Sequence, residues 1–190
     1  MPENYKEMKK IIFVTNTKGK VIEAQNILGD GFQVEHKKLD LDEIQTVDGK
    51  EVIKKKAEEA YKLLGCAILV EDTSLYFNAW KGLPGALVRW FLDAVGCDGI
   101  CKMMRAETNR TAYSESAIAY YDGKNLKIVS GKIGGSVPDK PRGDKGFGWD
   151  PVFVPNGSDK TFGELEMSEK NAISSRKIAL EKLRNYLSTV

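Results

Sequence analysis

The chain has 190 residues, close to the size of one domain, and 42% of them are hydrophobic while 29% are charged. This balance is typical of a globular protein with a sizeable core, and it excludes disorder by composition. Lysine and arginine total 29 against 27 aspartate and glutamate residues, which leaves a net charge of +2. A charge so close to zero does not predict nucleic-acid binding, so any anion site must be local.

The elements predicted for the first part of the chain alternate between strands and helices. Short apolar runs predict buried strands, apolar residues at helical spacing predict helices, and Gly29 and Gly65 mark two helix ends. The predicted order is a strand at 10–15, a helix at 21–28, a strand at 32–39, a helix at 52–64 and a strand at 67–70.

The rest of the chain adds one long hairpin. The predicted order is a β-rich segment at 74–80, a turn at 82–85, helices at 86–95 and 100–106, hairpin strands at 111–121 and 126–133, a loop at 138–148, and a final helix capped by Ser168 that reaches about residue 187. No repeat or linker divides the chain. We therefore expect a mixed α/β fold with a partly parallel central sheet flanked by helices. Residues 1–190 would form a single domain, with the hairpin block as a second lobe.

The compartment follows from what the sequence lacks. Its apolar runs are far shorter than the ~20 residues of a membrane span, and no basic flank precedes an apolar segment at the N-terminus. We expect a cytoplasmic protein that does not contact membranes. Cys97 and Cys101 are spaced like neighbours on a helix, but with one other cysteine and only His36 available, ordinary thiols are favoured over a zinc site.

A polar loop between the first strand and its helix is the first candidate site, and its residues are Thr15, Asn16, Thr17, Lys18, Gly19 and Lys20. Helix N-terminal amides carry partial positive charge, so this junction in an α/β fold favours an anion, and the lysines add full charges. A phosphate P-loop needs a second glycine, so a Walker-type NTPase is not supported. A polar capped turn is the alternative.

Adjacent carboxylates follow the strand predicted at 67–70. Glu71 and Asp72 would lie at its carboxyl end, where ligand crevices open, and Glu43 follows the second strand. Carboxylate oxygens suit magnesium, which usually keeps room for substrate phosphates. The alternative is that the acids only cap the following turn.

The predicted last helix places a cation on its apolar stripe. Arg176 falls among Ile173, Leu180, Leu183 and Leu187 at ~100° per residue. Its guanidinium either reaches solvent from the edge of the stripe or points into a ligand pocket. Lys170 lies on another face, where a lysine is usually solvated.

The loop at 146–151 carries aromatic residues beside glycine and proline. Phe147 or Trp149 could stack on a purine, and Asp150 could accept hydrogen bonds from base nitrogens. The same aromatics could instead plug the edge of a core.

Taken together and in this order, these segments resemble the inosine triphosphate pyrophosphatase family nearly end to end. The matching motifs are Phe13-Val14-Thr15 with Lys20 and Glu23, Val70-Glu71-Asp72-Thr73, Gly82-Leu83-Pro84-Gly85 with Arg89-Trp90-Phe91, Gly146-Phe147-Gly148-Trp149-Asp150-Pro151, Thr161-Phe162 with Glu164, and Glu169-Lys170-Asn171 with Ser174 and Arg176. The resemblance implies a two-lobed α/β protein with a deep cleft, usually a homodimer. It also implies conversion of non-canonical purine nucleoside triphosphates, those of inosine and xanthosine, to the monophosphate and pyrophosphate.

The resemblance also implies roles for residues. It places residues 15–20 and Lys56 on the phosphates, Glu43 and Asp72 on Mg²⁺, and Asp72 on the attacking water as well. Lys20 joins Asp72 in catalysis. Residues implied near the substrate are Thr73, Arg89, Phe147, Gly148, Trp149, Asp150, Lys170, Ser175 and Arg176. Arg176 could donate to a 6-oxo group, whereas adenine presents an amino donor there.

Two departures from the family pattern bear on substrate choice. Ser175 stands where relatives usually have histidine, which removes one implied base contact, although a hydroxyl can still donate a hydrogen bond over a shorter reach. Asn16 stands where relatives usually have glycine. A pyrophosphatase with altered base choice, such as one for modified pyrimidine nucleotides, and a catalytically silent nucleotide sensor are therefore the alternative functions.

Overall fold

One mixed sheet of seven strands lies at the centre of the computed structural model, which describes residues 8–189. The strands are β1 (Lys9–Val14), β2 (Phe32–Lys37), β3 (Ile68–Phe77), β4 (Pro84–Gly85), β5 (Thr111–Tyr121), β6 (Leu126–Ser136) and β7 (Val154–Pro155). Their order is β2-β1-β3-β5-β6-β7, and β4 pairs with β3. Among the described strands, β1 pairs in parallel with β2 and with β3, and all other pairings are antiparallel, so the predicted partly parallel sheet is confirmed.

Helices cover both faces of this sheet. They are α1 (Lys18–Leu28), α2 (Gly49–Leu64), α3 (Val88–Met104), α4 (Met167–Ile173) and α5 (Ser175–Leu187). The element α3 consists of two helical stretches that meet at a kink at Gly96, where the backbone angles are non-helical, so the break between the predicted helices at 86–95 and 100–106 is confirmed. Within residues 8–189, no helix has both the length and the apolarity needed to cross a membrane.

Three apolar clusters hold these layers together. Phe13 and Leu180 belong to the cluster between the sheet, α1 and α5, while Ile53 and Val70 belong to the cluster beneath α2. A third cluster joins α3 to the far end of β3 and β5 and includes Phe77, Trp149 and Phe162. Burial of this apolar surface is the main favourable contribution to folding.

The strand that carries the candidate carboxylates is longer than its apolar run predicts. We expected Glu71 and Asp72 just beyond a strand at 67–70, but β3 continues through them to Phe77 because β5 pairs with it along its whole length. The parallel pairing with β1, in contrast, ends at Val70. The strand therefore lacks a neighbour on one side from residue 71 until β4 pairs with Leu75 and Tyr76, and its polar residues border an open crevice there.

The C-terminal segment is two helices rather than the predicted one. Glu166, not Ser168, is the N-cap of α4 and forms a capping box with Glu169. Ser174 then breaks the helix with extended backbone angles, and its side chain accepts a hydrogen bond from the Lys177 amide to cap α5. Consequently Ile173 leaves the predicted stripe and is 44% exposed. The new N-terminus of α5 delivers the residues 175 and 176 to the sheet.

Candidate active site

A cavity of about 560 Å³ lies where β1 ends and β3 loses its neighbour. The amino ends of α1 and α5 and the loop 147–150 also border it. Lys18 and Gly19 are predicted site residues that do not line it; they are exposed in the first turn of α1. The predicted site residues that do line it are Thr15, Asn16, Thr17, Lys20, Glu43, Lys56, Asp72, Thr73, Arg89, Phe147, Gly148, Trp149, Asp150, Lys170, Ser175 and Arg176.

One end of the cavity is built to attract anions. The N-cap Thr17 makes no side-chain capping hydrogen bond to any described residue, and the first turn of α1 has no acidic residue. The Thr17 amide donates to Thr15 Oγ1 and the Lys20 amide donates to the Thr17 carbonyl, each at 3.2 Å. The partial positive charge of this helix end therefore favours an anion, although its unpaired amides belong to the exposed Lys18 and Gly19. Lys20 adds its charge from a side chain that is 16% exposed. His36, for which the sequence indicated no role, bonds from Nε2 to the Thr15 carbonyl at 2.8 Å and so fixes the loop.

The two adjacent carboxylates of β3 point to opposite faces, because side chains alternate along a strand. Glu71 faces α5, where the Arg176 Nε donates to Oε1 at 2.7 Å and to Oε2 at 2.9 Å. Thr73 Oγ1 also donates to Glu71 Oε1, at 2.8 Å. Burial raises the pKa of Glu71, but the charges of Arg176 and then Lys20 outweigh it and hold the pKa at about 2. Glu71 is therefore an ionised partner within the protein rather than a free ligand for a metal.

Asp72 faces α2, and among the described residues its side chain has one hydrogen bond, which Oδ2 accepts from Ser74 Oγ at 3.1 Å. Burial raises the pKa of Asp72; Lys56 opposes this shift, and Glu43 adds to it. Glu43 accepts a short hydrogen bond from Lys56 Nζ. Asp72 thus keeps one oxygen uncommitted beside a second carboxylate and a lysine.

These oxygens fit a hard divalent cation. Magnesium is usually held by one or two carboxylates together with substrate phosphates and waters, and Glu43 and Asp72 both line the cavity next to its cationic end. No group of three or more His, Cys, Asp or Glu side chains suited to a metal occurs within residues 8–189. The fit therefore depends on this pair of carboxylates and on oxygens that a substrate would bring.

Arg176 lies inside the protein, so the alternative of a guanidinium reaching solvent is wrong. It is 6% exposed, its Nη1 donates to Glu23 at 3.0 Å, and its Nε is taken by Glu71. Burial lowers the pKa of Arg176, but Glu71 and Glu23 outweigh it and raise the pKa, so the guanidinium stays charged. Its Nη2 has no hydrogen-bond partner among the described residues, and Arg176 borders the cavity. The cavity therefore faces a rigidly held donor.

Lys170 is also buried, in contrast to the solvated position usual for a helical lysine. Its Nζ donates to Asp150 Oδ2 at 2.5 Å and lies 4.3 Å from the centre of the Phe147 ring. Burial lowers the pKa of Lys170, while Asp150 opposes that shift. Gly146 is required here, because its φ is +80° and a Cβ would lie 2.1 Å from Asp150 Oδ2.

The two aromatic residues of the loop have different surroundings. Trp149 is 9% exposed and packs against Phe153 and Phe162, so most of its ring belongs to the core. Phe147 is 47% exposed and borders the cavity. The core interpretation therefore holds for most of the Trp149 ring, and Phe147 is the aromatic side chain that is exposed at the cavity.

The structure adds residues that the sequence analysis missed. Ser114 and Ser116 of β5 are fully buried in the cavity wall and both contact the Ser175 hydroxyl. Polar residues at alternate positions of an otherwise apolar strand could have indicated them. Arg89, in contrast, lies at the rim, where its side chain is 82% exposed and 3.7 Å from Asp93.

Comparison with known proteins agrees with this architecture. The model of the Ham1 family matches residues 11–186. The chain belongs to the Ham1 family. This Ham1 chain is 39% identical to the inosine triphosphate pyrophosphatase of Schizosaccharomyces pombe, over 96% of this chain and 97% of that protein. It is 37% identical to the dITP/XTP pyrophosphatase of Thermococcus kodakarensis, over 94% and 97% of the two chains.

A solved structure supports the same assignment. The HAM1 protein of Coxiella burnetii superimposes with a TM-score of 0.84 at 27% identity, covering 96% of this chain and all of that one. The family resemblance found in the motifs, and the fold that it implies, are both confirmed.

Proposed function

We propose that this protein hydrolyses non-canonical purine nucleoside triphosphates, namely ITP, dITP and XTP, to the nucleoside monophosphate and pyrophosphate. The observation that carries the proposal is that one cavity brings together two lysines beside a helix N-terminus, a carboxylate with an uncommitted oxygen, and a buried arginine donor. The relatives named above are pyrophosphatases for ITP or for dITP and XTP.

The cationic end would hold the phosphates. Lys20 and Lys56, with the amides of the 15–20 loop, neutralise charge that develops on the leaving pyrophosphate. Asp72 accepts a proton from the water that attacks the α-phosphorus. The new bond joins water oxygen to the α-phosphorus, and the bond broken joins that phosphorus to the bridging oxygen. A carboxyl with a raised pKa is a better proton acceptor at neutral pH than an ordinary aspartate.

The cofactor would be a divalent cation, and Mg²⁺ is the ion that we propose. Glu43 and Asp72 would hold it. When bound, it supplies charge neutralisation and orientation for phosphate oxygens.

The other end would read the base. Arg176 Nη2 can donate to the 6-oxo group of hypoxanthine or xanthine, whereas the 6-amino group of adenine would present a second donor to it. Phe147 would stack on the ring, and Asp150 with Lys170 would border it.

The deciding experiment is a product analysis with ITP, XTP, ATP and GTP, in the presence of Mg²⁺ and of a chelator. We expect monophosphate and pyrophosphate from ITP and XTP, little product from ATP, and no turnover with chelator. GTP also carries a 6-oxo group, so its turnover tests whether the site excludes the 2-amino group of guanine. Release of inorganic phosphate with a diphosphate product would contradict the proposed site of attack.

The other outcomes separate the alternative functions. Cleavage of modified pyrimidine triphosphates in preference to ITP would favour altered base choice, for which Ser175 is the supporting residue. Tight binding of ITP without turnover would favour a sensor.

We further propose that the protein acts in the cytoplasm as a homodimer built from single two-lobed domains. An exposed apolar patch supports self-association: Val47, Leu83 and Trp90 are each at least 46% exposed, and the Ala86 amide bonds to the Val47 carbonyl. Sedimentation equilibrium should give twice the 21.1 kDa chain mass. A measured mass equal to that of one chain at micromolar concentration would contradict the proposed homodimer.

A further inference from the structure

A row of hydroxyl groups crosses the base end of the cavity from β3 to α5. Thr73 Oγ1 lies 3.1 Å from Ser116 Oγ, which lies 2.8 Å from Ser175 Oγ, which lies 3.1 Å from Ser114 Oγ. Thr73 and Ser116 are directly paired across β3 and β5. All four side chains line the cavity. We call Thr73, Ser116, Ser175 and Ser114 the hydroxyl row.

The hydrogens of this row can point in only one consistent direction. Each hydroxyl has one hydrogen and two lone pairs. Thr73 gives its hydrogen to the ionised Glu71 at 2.8 Å, since a carboxylate can only accept. Its contact with Ser116 must therefore use the Ser116 hydrogen. By the same reasoning Ser175 donates to Ser116, and Ser114 donates to Ser175.

In this order the Thr73 hydrogen goes to Glu71 and the three serine hydrogens go to other hydroxyls of the row, so none is left for a ligand. What each hydroxyl has left for a ligand is a lone pair, so the wall formed by Ser114, Ser116 and Ser175 accepts hydrogen bonds and does not donate them. Glu71 fixes this polarity, and Glu71 is itself held by two hydrogen bonds from the Arg176 Nε.

The residue next to Ser175 supplies the opposite polarity. Arg176 lines the same cavity, its Nη2 has no hydrogen-bond partner within residues 8–189, and a guanidinium can only donate. A donor beside an acceptor complements a ring carbonyl beside a ring N–H. Adenine has the reverse pattern, an amino group beside an unprotonated ring nitrogen. Two mismatched contacts discriminate more strongly than one, because each leaves a buried polar group unpaired.

We propose that Ser175 is a specificity-determining residue whose hydroxyl accepts a hydrogen bond from the N1–H of a 6-oxopurine, with Ser114 and Ser116 as positioning residues that fix its hydrogen. The inference rests on the proposed function and adds to it the recognition of the whole lactam edge, carbonyl and N–H together. Ser175 thereby reads the base although it lacks an imidazole.

The test uses a substrate that has lost only the donor. N1-methyl-ITP keeps the 6-oxo group but has no N1–H. For the unaltered protein we expect kcat/KM to be at least about tenfold higher for ITP than for N1-methyl-ITP, as one lost buried hydrogen bond predicts. Ser175→Ala should reduce this ratio toward one, mainly by lowering kcat/KM for ITP, and Ser175→Thr should restore it.

A binding measurement separates the loss of the hydrogen bond from a loss of catalysis or of fold. A steric clash between the methyl group and Ser175 would instead appear as tighter binding of the N1-methyl ligand in Ser175→Ala. Calorimetric titration with inosine and N1-methylinosine monophosphates needs no turnover, and it should give the same change in ratio for Ser175→Ala. Ser188→Ala, at the far end of α5, is the matched control and should leave both ratios unchanged.

Two results would overturn the inference. One is an equal loss for ITP, N1-methyl-ITP and ATP in Ser175→Ala with an unchanged melting temperature, since the row would then only support packing. The other is a ratio near one in the unaltered protein. Failure of the proposed function has a different signature, since the unaltered protein would release no pyrophosphate from ITP.

Discussion

The two faces of β3 give the adjacent carboxylates Glu71 and Asp72 different hydrogen bonding and shift their pKa values in opposite directions. On the α5 face, Glu71 receives hydrogen bonds from Arg176 and Thr73, and its pKa is held at about 2. On the α2 face, Asp72 receives one hydrogen bond from Ser74, and its pKa is raised. Strand alternation alone separates the pair, because consecutive side chains must point to opposite faces.

This difference indicates that Glu71 supports the structure of the site and that Asp72 takes part in the chemistry. A saturated, ionised Glu71 fixes Arg176 and the hydroxyl row, but it has no capacity left for a proton or a cation. Asp72 is less stable as an anion and keeps an open oxygen, which suits a proton acceptor or metal ligand. Substitutions on the two faces should therefore separate stability from turnover.

The largest effect should come from Asp72→Asn. We expect kcat for ITP to fall by roughly 10³-fold or more, because the amide can neither take the proton nor replace a charged ligand. Burial disfavours the charged form of Asp72, so the variant should unfold at the same or higher urea concentration. Steady-state kinetics and urea denaturation measure the two quantities, and Asp93→Asn on exposed α3 is the control. Unchanged turnover would remove Asp72 from the mechanism.

Glu71→Gln should have the opposite profile. Removing one partner of a buried ion pair costs about 3–5 kcal/mol, and because Arg176 keeps its hydrogen bond to Glu23 the cost here should lie near the lower end of that range. We expect the free energy of unfolding to fall by this amount, measured by urea denaturation. Glu35→Gln is the control, because its ion pair with Lys10 is exposed. If Glu71→Gln kept wild-type stability but lost turnover, Glu71 would instead have a catalytic role.

Local patterns predict much of the fold. Apolar spacing gives most of the helices and strands, and Gly29 and Gly65 end α1 and α2 as expected. The extent of β3 is different, because long-range pairing with β5, not local propensity, keeps Glu71 and Asp72 extended.

The contacts within the candidate site were harder to predict from the sequence than the fold. Motif order brought Lys20, Asp72 and Arg176 together, but it did not indicate that Arg176 would be fixed by Glu71. The break at Ser174 and the contacts of Ser114 depend on how α5 docks against β5, and no local pattern contains that information. Distances between side chains remote in sequence are set by tertiary packing.

Lowering the pH should progressively reduce the contribution of Glu71 to the free energy of unfolding. The folded-state pKa of Glu71 is about 2 against an ordinary value of 4.5, so its contribution to stability is complete above pH 4.5 and is lost as pH falls toward 2. The difference in unfolding free energy between the unaltered protein and Glu71→Gln should therefore shrink between pH 5 and pH 3. Urea denaturation across this range measures it. A difference that stays constant with pH would mean that the carboxylate charge does not carry the stabilisation.

The smallest effect should come from Ser74→Ala, which tests how firmly Asp72 must be held. Ser74 is buried and gives Asp72 its one hydrogen bond, so its loss lets the carboxylate rotate. A hydrogen bond to a charged group contributes about 1.5 kcal/mol or more, so we expect kcat for ITP to fall about tenfold. Stability should change much less than in Glu71→Gln. Ser158→Ala, whose hydroxyl lies in an exposed turn, is the control for the kinetic measurement. Ser74→Ala could instead lower the unfolding free energy as much as Glu71→Gln and leave kcat unchanged. That result would mean that the hydrogen bond on the α2 face also serves stability, and that Asp72 itself is the one difference between the two faces.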